Sequence, residues 1–118
     1  MVTTSPQQQV PAIPADQALE MIDGGAVLID IRELNEWQAG HAPMAVHIPM
    51  SALGSGLSQL DKNAPTIFIC RSGRRSDSAV AALVGAGYNA INLLGGMQAW
   101  QQAGGSVVRD DSTPGMVI

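Results

Sequence analysis

A single cysteine and a run of arginines carry whatever nucleophilic chemistry this chain can perform. Cys70 follows the apolar run Thr66-Ile67-Phe68-Ile69 and precedes Arg71, Ser72, Gly73, Arg74, Arg75 and Ser76. Three of the six basic residues therefore crowd one short stretch of a protein whose net charge is −4. Like charges that close repel, so the cluster needs an anion among them or side chains that splay into solvent. A strand–loop–helix frame favours the anion. A loop passing through Gly73 can curl so that successive N–H groups point at one spot, and the helix after it adds its unpaired N–H groups and the positive end of its dipole. Free cysteine titrates near ~8.5, and such surroundings lower it to roughly 3.5–7.5. The expected chemistry is attack by a Cys70 thiolate on an anionic substrate held by the arginines. The plain alternative is a small buried hydrophobe beside a solvated loop.

Other residues are candidates for support. Asp30 and Arg32 are expected as an ion pair bracing the site, the alternative being that Arg32 approaches the substrate. Glu36 is either a helix-face carboxylate or the partner of an arginine. Ser72 and Ser76 can cap the helix or donate to the bound anion, and Asp77 suits the dipole in the helix's first turn. His41 and His47 stand too far from other ligand types to suggest a metal site, and a structural hydrogen bond is expected of His41. Trp37 and Trp100 are expected as core anchors, and the six methionines as packing. No metal or other cofactor is expected.

These residues need a frame. At 118 residues, with 46% hydrophobic and 14% charged, the chain has the size and composition of one compact domain. With aromatics at 3%, its core must be mostly aliphatic. The acidic balance, with a sequence pI near 4.8, weighs against nucleic acid or an anionic membrane as partner. One cysteine excludes an internal disulfide, and neither a signal-type segment nor a long apolar run is present, so the expected location is cytoplasmic.

Short apolar runs alternate with helical segments. Residues 15–23 read as a helix, 26–30 as a strand, 33–40 as a short helix and 45–49 as a strand. Residues 50–60 read as helical at first and broken by Gly54 and Gly56, 66–70 as the clearest strand and 76–87 as the clearest helix. A strand at 89–96 and a helix at 97–105 complete the series. An edge strand is possible near Val10 to Ile13. The pattern specifies an α/β domain, a mostly parallel sheet of about five strands with helices on both faces. Ligands in such sheets bind beyond the carboxyl ends of strands, where Cys70 lies. The expected organisation is a flexible arm over 1–11, the domain over 12–104 and a tail over 105–118 with no assigned element.

The stretches "VLIDIRELNEWQAGHAPMAVHIP", "IFICRSGRRSDSAVAAL" and "NLLGGMQAW" together resemble the rhodanese family in its single-domain, three-layer α/β/α form. The likeness rests on Asp30 and Arg32, then Glu36, Trp37, Gly40 and His41, then the Cys70, Gly73, Arg75, Ser76 loop, then Gly95, Gly96 and Trp100. It implies a sulfurtransferase of the thiosulfate type. Cys70 would take the sulfane sulfur of a small anionic donor and carry it as a persulfide. A thiophile, either cyanide or a thiol (a protein thiol included), would then remove it. The loop N–H groups would hold the persulfide, and Arg71, Arg74 or Arg75 would bind the donor's sulfonate. With no second cysteine in the chain, the acceptor must come from outside.

Two further classes stay open. Certain dual-specificity phosphatases and arsenate reductases share the fold but need Cys-x5-Arg, and that sixth position is Ser76 here. A non-turnover sulfur carrier, sensor or anion-binding module is the other.

Overall fold

The computed structural model describes residues 10–118. Five strands are formed: β1 (Ala12–Ile13), β2 (Val27–Asp30), β3 (Val46–His47), β4 (Thr66–Ile69) and β5 (Ala90–Leu93). Between and after them lie α1 (Ala15–Asp23), α2 (Leu34–Ala39), α3 (Leu53–Gly56), α4 (Arg74–Gly85) and α5 (Gly96–Gln102). Most of the expected arm, residues 1–9, lies outside the described residues. No helix among the described residues is long and apolar enough to cross a membrane.

The strands join one sheet in the order β1-β5-β4-β2-β3, every pair parallel. All carboxyl ends therefore share one edge, and β4, with Cys70 just beyond it, is central. Strand alternation then sorts the core onto two faces. Leu28, Ile67, Ile69 and Leu93 pack with Ala18 of α1 and with Met97 and Trp100 of α5. Ile29, Phe68, Cys70 and Ala90 pack with Ala79, Val80 and Leu83 of α4. Every residue of β4 is buried, as a central parallel strand covered on both faces requires. Burying side chains such as Ile67, Phe68 and Ile69 stabilises by about 1.5–3 kcal/mol each.

The structure departs from the sequence reading at four places. First, α4 begins at Arg74 rather than Ser76, because Gly73 adopts the left-handed conformation (φ 97°) as its N-cap and turns the chain early. Second, residues 50–59 stay helical through both glycines, as two 3₁₀ turns (Met50–Ala52 and Leu57–Gln59) around α3. Gly56 is needed there for close approach, since a Cβ would come within 2.8 Å of Ile48 Cγ2. Third, α2 contributes nothing to the core: Leu34 is 56% exposed and Trp37 only half-buried. Trp37 instead stacks on two imidazoles, 3.5 Å from His41 and 4.8 Å from His47 between ring centroids.

Fourth, the tail folds back. Val108 bridges both His41 and Pro114, the Gly115 N–H donates to the Val107 carbonyl, and the Met116 N–H donates to the Ala39 carbonyl at 2.9 Å. Gly40 permits that approach, because a Cβ there would meet the Met116 backbone at 2.6 Å.

Candidate active site

Cys70 is placed by the end of β4 and held by the first turn of α5. Its carbonyl and that of Arg71 accept hydrogen bonds there from the Met97 and Gln98 N–H groups, at 2.7 and 3.1 Å. This contact needs Gly96, whose φ is +56° and whose added Cβ would collide with the Cys70 and Arg71 carbonyls. With the carbonyls turned outward to α5, the loop N–H groups turn inward. Cys70 Sγ receives the Gly73 N–H at 3.1 Å, the Ser76 N–H at 3.4 Å and lies 3.3 Å from Ser76 Oγ.

Cys70 is only 1% exposed, and burial alone pushes the thiol up. The Ser76 hydroxyl and the Ser76, Gly73 and Arg75 N–H groups pull the other way and prevail, so its pKa lies below the usual value. Donors of this kind stabilise the charged form selectively. Cys70 is thus a thiolate-prone side chain seated on backbone donors.

The arginines separate rather than converge. Arg75 Nη1 and Nη2 donate to the two Glu36 carboxylate oxygens, both at 2.8 Å, in the bidentate geometry that suits a planar guanidinium. The Arg75 pair, opposed by partial burial and aided by the Glu33 N–H, holds Glu36 below the ordinary carboxylate value. Arg71 Nε donates to the main-chain oxygen of Ile118 at 2.8 Å. Arg74 and Ser72 are exposed. In this arrangement Glu36 holds Arg75, the tail holds Arg71, and Arg74 faces solvent. Helix capping by Ser72 or Ser76 is not found. Among the described residues no side chain caps α4, because Gly73 occupies the N-cap position and the Ser76 hydroxyl points to Cys70 and Asn92.

Asp30 and Arg32 form a closed pair at the carboxyl end of β2, both 0% exposed. Arg32 Nη2 meets Asp30 Oδ2 at 2.8 Å and Nε contacts both carboxylate oxygens. The remaining guanidinium donors reach the Glu36 carbonyl at 3.3 Å and the Gly40 carbonyl at 2.8 Å. The pair therefore anchors both ends of the segment that carries Glu36. Arg32 is fully buried and all three of its guanidinium nitrogens face protein acceptors. His47 Nε2 donates to the Arg32 carbonyl at 2.7 Å and His41 Nδ1 to the Trp37 carbonyl at 2.8 Å. Beside the site, an apolar groove of about 290 Å³ runs between α4 and the 50–57 segment, lined by Met50, Leu53, Leu57, Ala82 and Leu83. Cys70 is not part of its lining.

Comparison with known proteins decides the family. The rhodanese-like domain matches residues 14–103. The chain belongs to that family. This rhodanese-like domain is 37% identical over 90 residues to "Thiosulfate sulfurtransferase GlpE" of Pseudomonas entomophila (strain L48), covering 75% of this chain and 83% of the relative. It is 43% identical over 74 residues to "Putative sulfurtransferase YtwF" of Bacillus subtilis (strain 168), covering 63% and 72%. Among solved structures it is similar to a rhodanese-related protein from Thermoplasma volcanium, with a TM-score of 0.76 at 32% identity over 83% of this chain and 97% of that one.

One site residue of this rhodanese-like domain escaped the sequence reading. Asn92 of β5 is 2% exposed, and its amide contacts Ser76 Oγ at 2.5 Å and the Gly73 carbonyl at 3.3 Å. The available signal was a buried amide in the otherwise apolar run Ala90-Ile91-Asn92-Leu93, since such a group needs partners.

Proposed function

We propose that this rhodanese-like domain is a thiosulfate-type sulfurtransferase that works through a Cys70 persulfide. The observation that carries the reading is the Cys70 sulfur seated on the Gly73 and Ser76 N–H groups at the carboxyl edge of a parallel sheet. The thiolate attacks the outer, sulfane sulfur of thiosulfate or a related donor. A Cys70 S–S bond forms, the donor S–S bond breaks, and sulfite leaves with the bonding electron pair. The new terminal sulfur is the anion that the loop from Arg71 to Ser76 cradles, and the exposed Arg74 meets the incoming sulfonate. Cyanide or a thiol, on a small molecule or a protein, then takes the terminal sulfur, and Cys70 returns to thiolate. We assign the activity to the cytoplasm, where a lone thiol stays reduced. A phosphate loop needs an arginine at position 76, which is Ser76 here, and the adjacent Arg75 is tied to Glu36; both speak against that reading.

Intact-protein mass spectrometry before and after thiosulfate tests this. The expected result is a gain of one sulfur (~32 Da) on Cys70, removed by cyanide with thiocyanate released over many turnovers, and absent in Cys70→Ser. Transfer retained in Cys70→Ser would overturn the mechanism. Loading without turnover would make the domain a carrier, and phosphate release from an aryl phosphate would make it a phosphatase.

A further inference from the structure

Asn92 sits where strand alternation puts it. It pairs in register with Phe68, so its side chain shares the sheet face of Phe68 and Cys70 and meets the start of α4. Its orientation is set by its neighbours. The amide nitrogen must face the Gly73 carbonyl, an acceptor, which leaves Oδ1 facing Ser76 Oγ. Because Oδ1 has no hydrogen, the serine hydroxyl is the donor in that 2.5 Å contact. A hydroxyl carries one proton. Ser76 therefore cannot donate to Asn92 and to Cys70 Sγ, 3.3 Å away, at the same time.

The two protonation states of Cys70 use that proton differently. As a thiol, Cys70 can donate its S–H to Ser76 Oγ while Ser76 donates to Asn92, and every group has a partner. As a thiolate, the sulfur needs the Ser76 proton, and Asn92 Oδ1 loses its donor inside the protein, where an unpartnered polar group is costly. We propose that Asn92 is a positioning residue that competes with the Cys70 sulfur for the single Ser76 proton and so tunes the charge held at Sγ. The proposal rests on Cys70 as the reacting group. When charge moves from Sγ to the outer sulfur of a persulfide, the hydroxyl turns back to Asn92. Asn92 thereby favours the states with no charge on Sγ, while no covalent bond to it forms or breaks.

Charged residues lie on the elements around the sulfur: Arg71, Arg74, Arg75 and Asp77 on the loop and α4, Glu36 on α2, and the Asp30–Arg32 pair at the end of β2. None of them hydrogen-bonds Sγ among the described residues. A change at Asn92 touches none of them directly; besides Ser76 it releases only the Gly73 carbonyl, and the variant that also lacks the Ser76 hydroxyl separates these two routes.

The test is a pH titration of the thiolate ultraviolet band, which in this one-cysteine chain reports Cys70 and needs no sulfur donor. It therefore stands or falls separately from sulfur transfer. Asn92→Leu is expected to lower the Cys70 midpoint by about one unit, a roughly tenfold gain in thiolate at any pH well below it. Ser76→Ala is expected to raise the midpoint, and adding Asn92→Leu to Ser76→Ala should change nothing further. An unmoved or raised midpoint in Asn92→Leu, or the same fall with Ser76 absent, would overturn the proposal. Asn92→Val, which suits a strand and fills less room, is the second variant, with circular dichroism confirming the fold of each.

Discussion

Two neighbouring centres in this protein hold negative charge by opposite means. At Cys70 a thiolate would be met by main-chain N–H groups and one hydroxyl. Along the same sheet edge, at the end of the neighbouring strand β2 and on α2 beyond it, Asp30 and Glu36 are met by arginine side chains. The two carboxylates are each paired with a guanidinium fixed in the fold. In the proposed sulfur transfer the sulfur gains and loses charge, and N–H dipoles can stabilise it when charged without leaving a buried ion when it is not. Arg32 and Arg75 are thus bound to the protein's own acids, beside a sulfur that backbone donors serve.

The sharpest break of this comparison is at the closed pair. Asp30→Ala leaves the Arg32 guanidinium buried without its counter-charge, and removing one partner of such a pair costs about 3–5 kcal/mol. Urea unfolding should show that loss directly. A loss under ~1 kcal/mol would mean that water or the Glu36 and Gly40 carbonyls satisfy Arg32 alone.

A smaller effect is expected where the anion is held by backbone. Gly73 has φ 97° and its N–H reaches Cys70 Sγ at 3.1 Å, while a Cβ there would lie 3.0 Å from the Gly95 nitrogen. Gly73→Ala should cost about 1–3 kcal/mol through the strained conformation. It should also raise the Cys70 midpoint, because the donor moves. The two readouts separate the centres: Asp30→Ala is expected to act mainly on stability, Gly73→Ala on both stability and the thiolate.

The frame of this site was legible because it is local. Val27–Asp30, Thr66–Ile69 and Ala90–Leu93 are each short apolar runs, and runs like these alternating with helices build a parallel α/β sheet. Cys70 at a strand's carboxyl end and Gly73 in its loop were equally visible. The local Asp30–Arg32 pair was legible too, but the distant partners were not fixed, because they depend on register and long-range return of the chain. Arg75 and Glu36 are 39 residues apart, and nothing in the loop itself says that this arginine rather than Arg74 is taken. Asn92 meets Ser76 only because β5 pairs with β4 so that Asn92 lies beside Phe68. Trp37 looked like a core residue by type, yet α2 lies against the rim and its indole finds two histidines instead.

The smallest effect is expected where side-chain pairing and solvent meet, at Glu36 and Arg75, whose side chains are 14% and 37% exposed. Glu36→Gln removes the charge but keeps the shape. At this exposure the loss should be about 1 kcal/mol at low salt and less in molar salt. Its pH dependence has a definite sign. The folded pKa of Glu36 lies below its ordinary value of 4.5, so the unfolded chain takes up the proton first as pH falls. The stabilisation is complete above that ordinary value and disappears as pH drops through the folded one. Stability curves of the native protein and Glu36→Gln should therefore run apart at neutral pH and converge in acid. Because Glu36→Gln also loosens Arg75, steady-state thiosulfate kinetics in the same variant show what that arginine does when released. A lower KM would mean that Glu36 restrains a substrate cation, and an unchanged KM would leave Arg75 as part of the brace and Arg74 as the cation the donor meets.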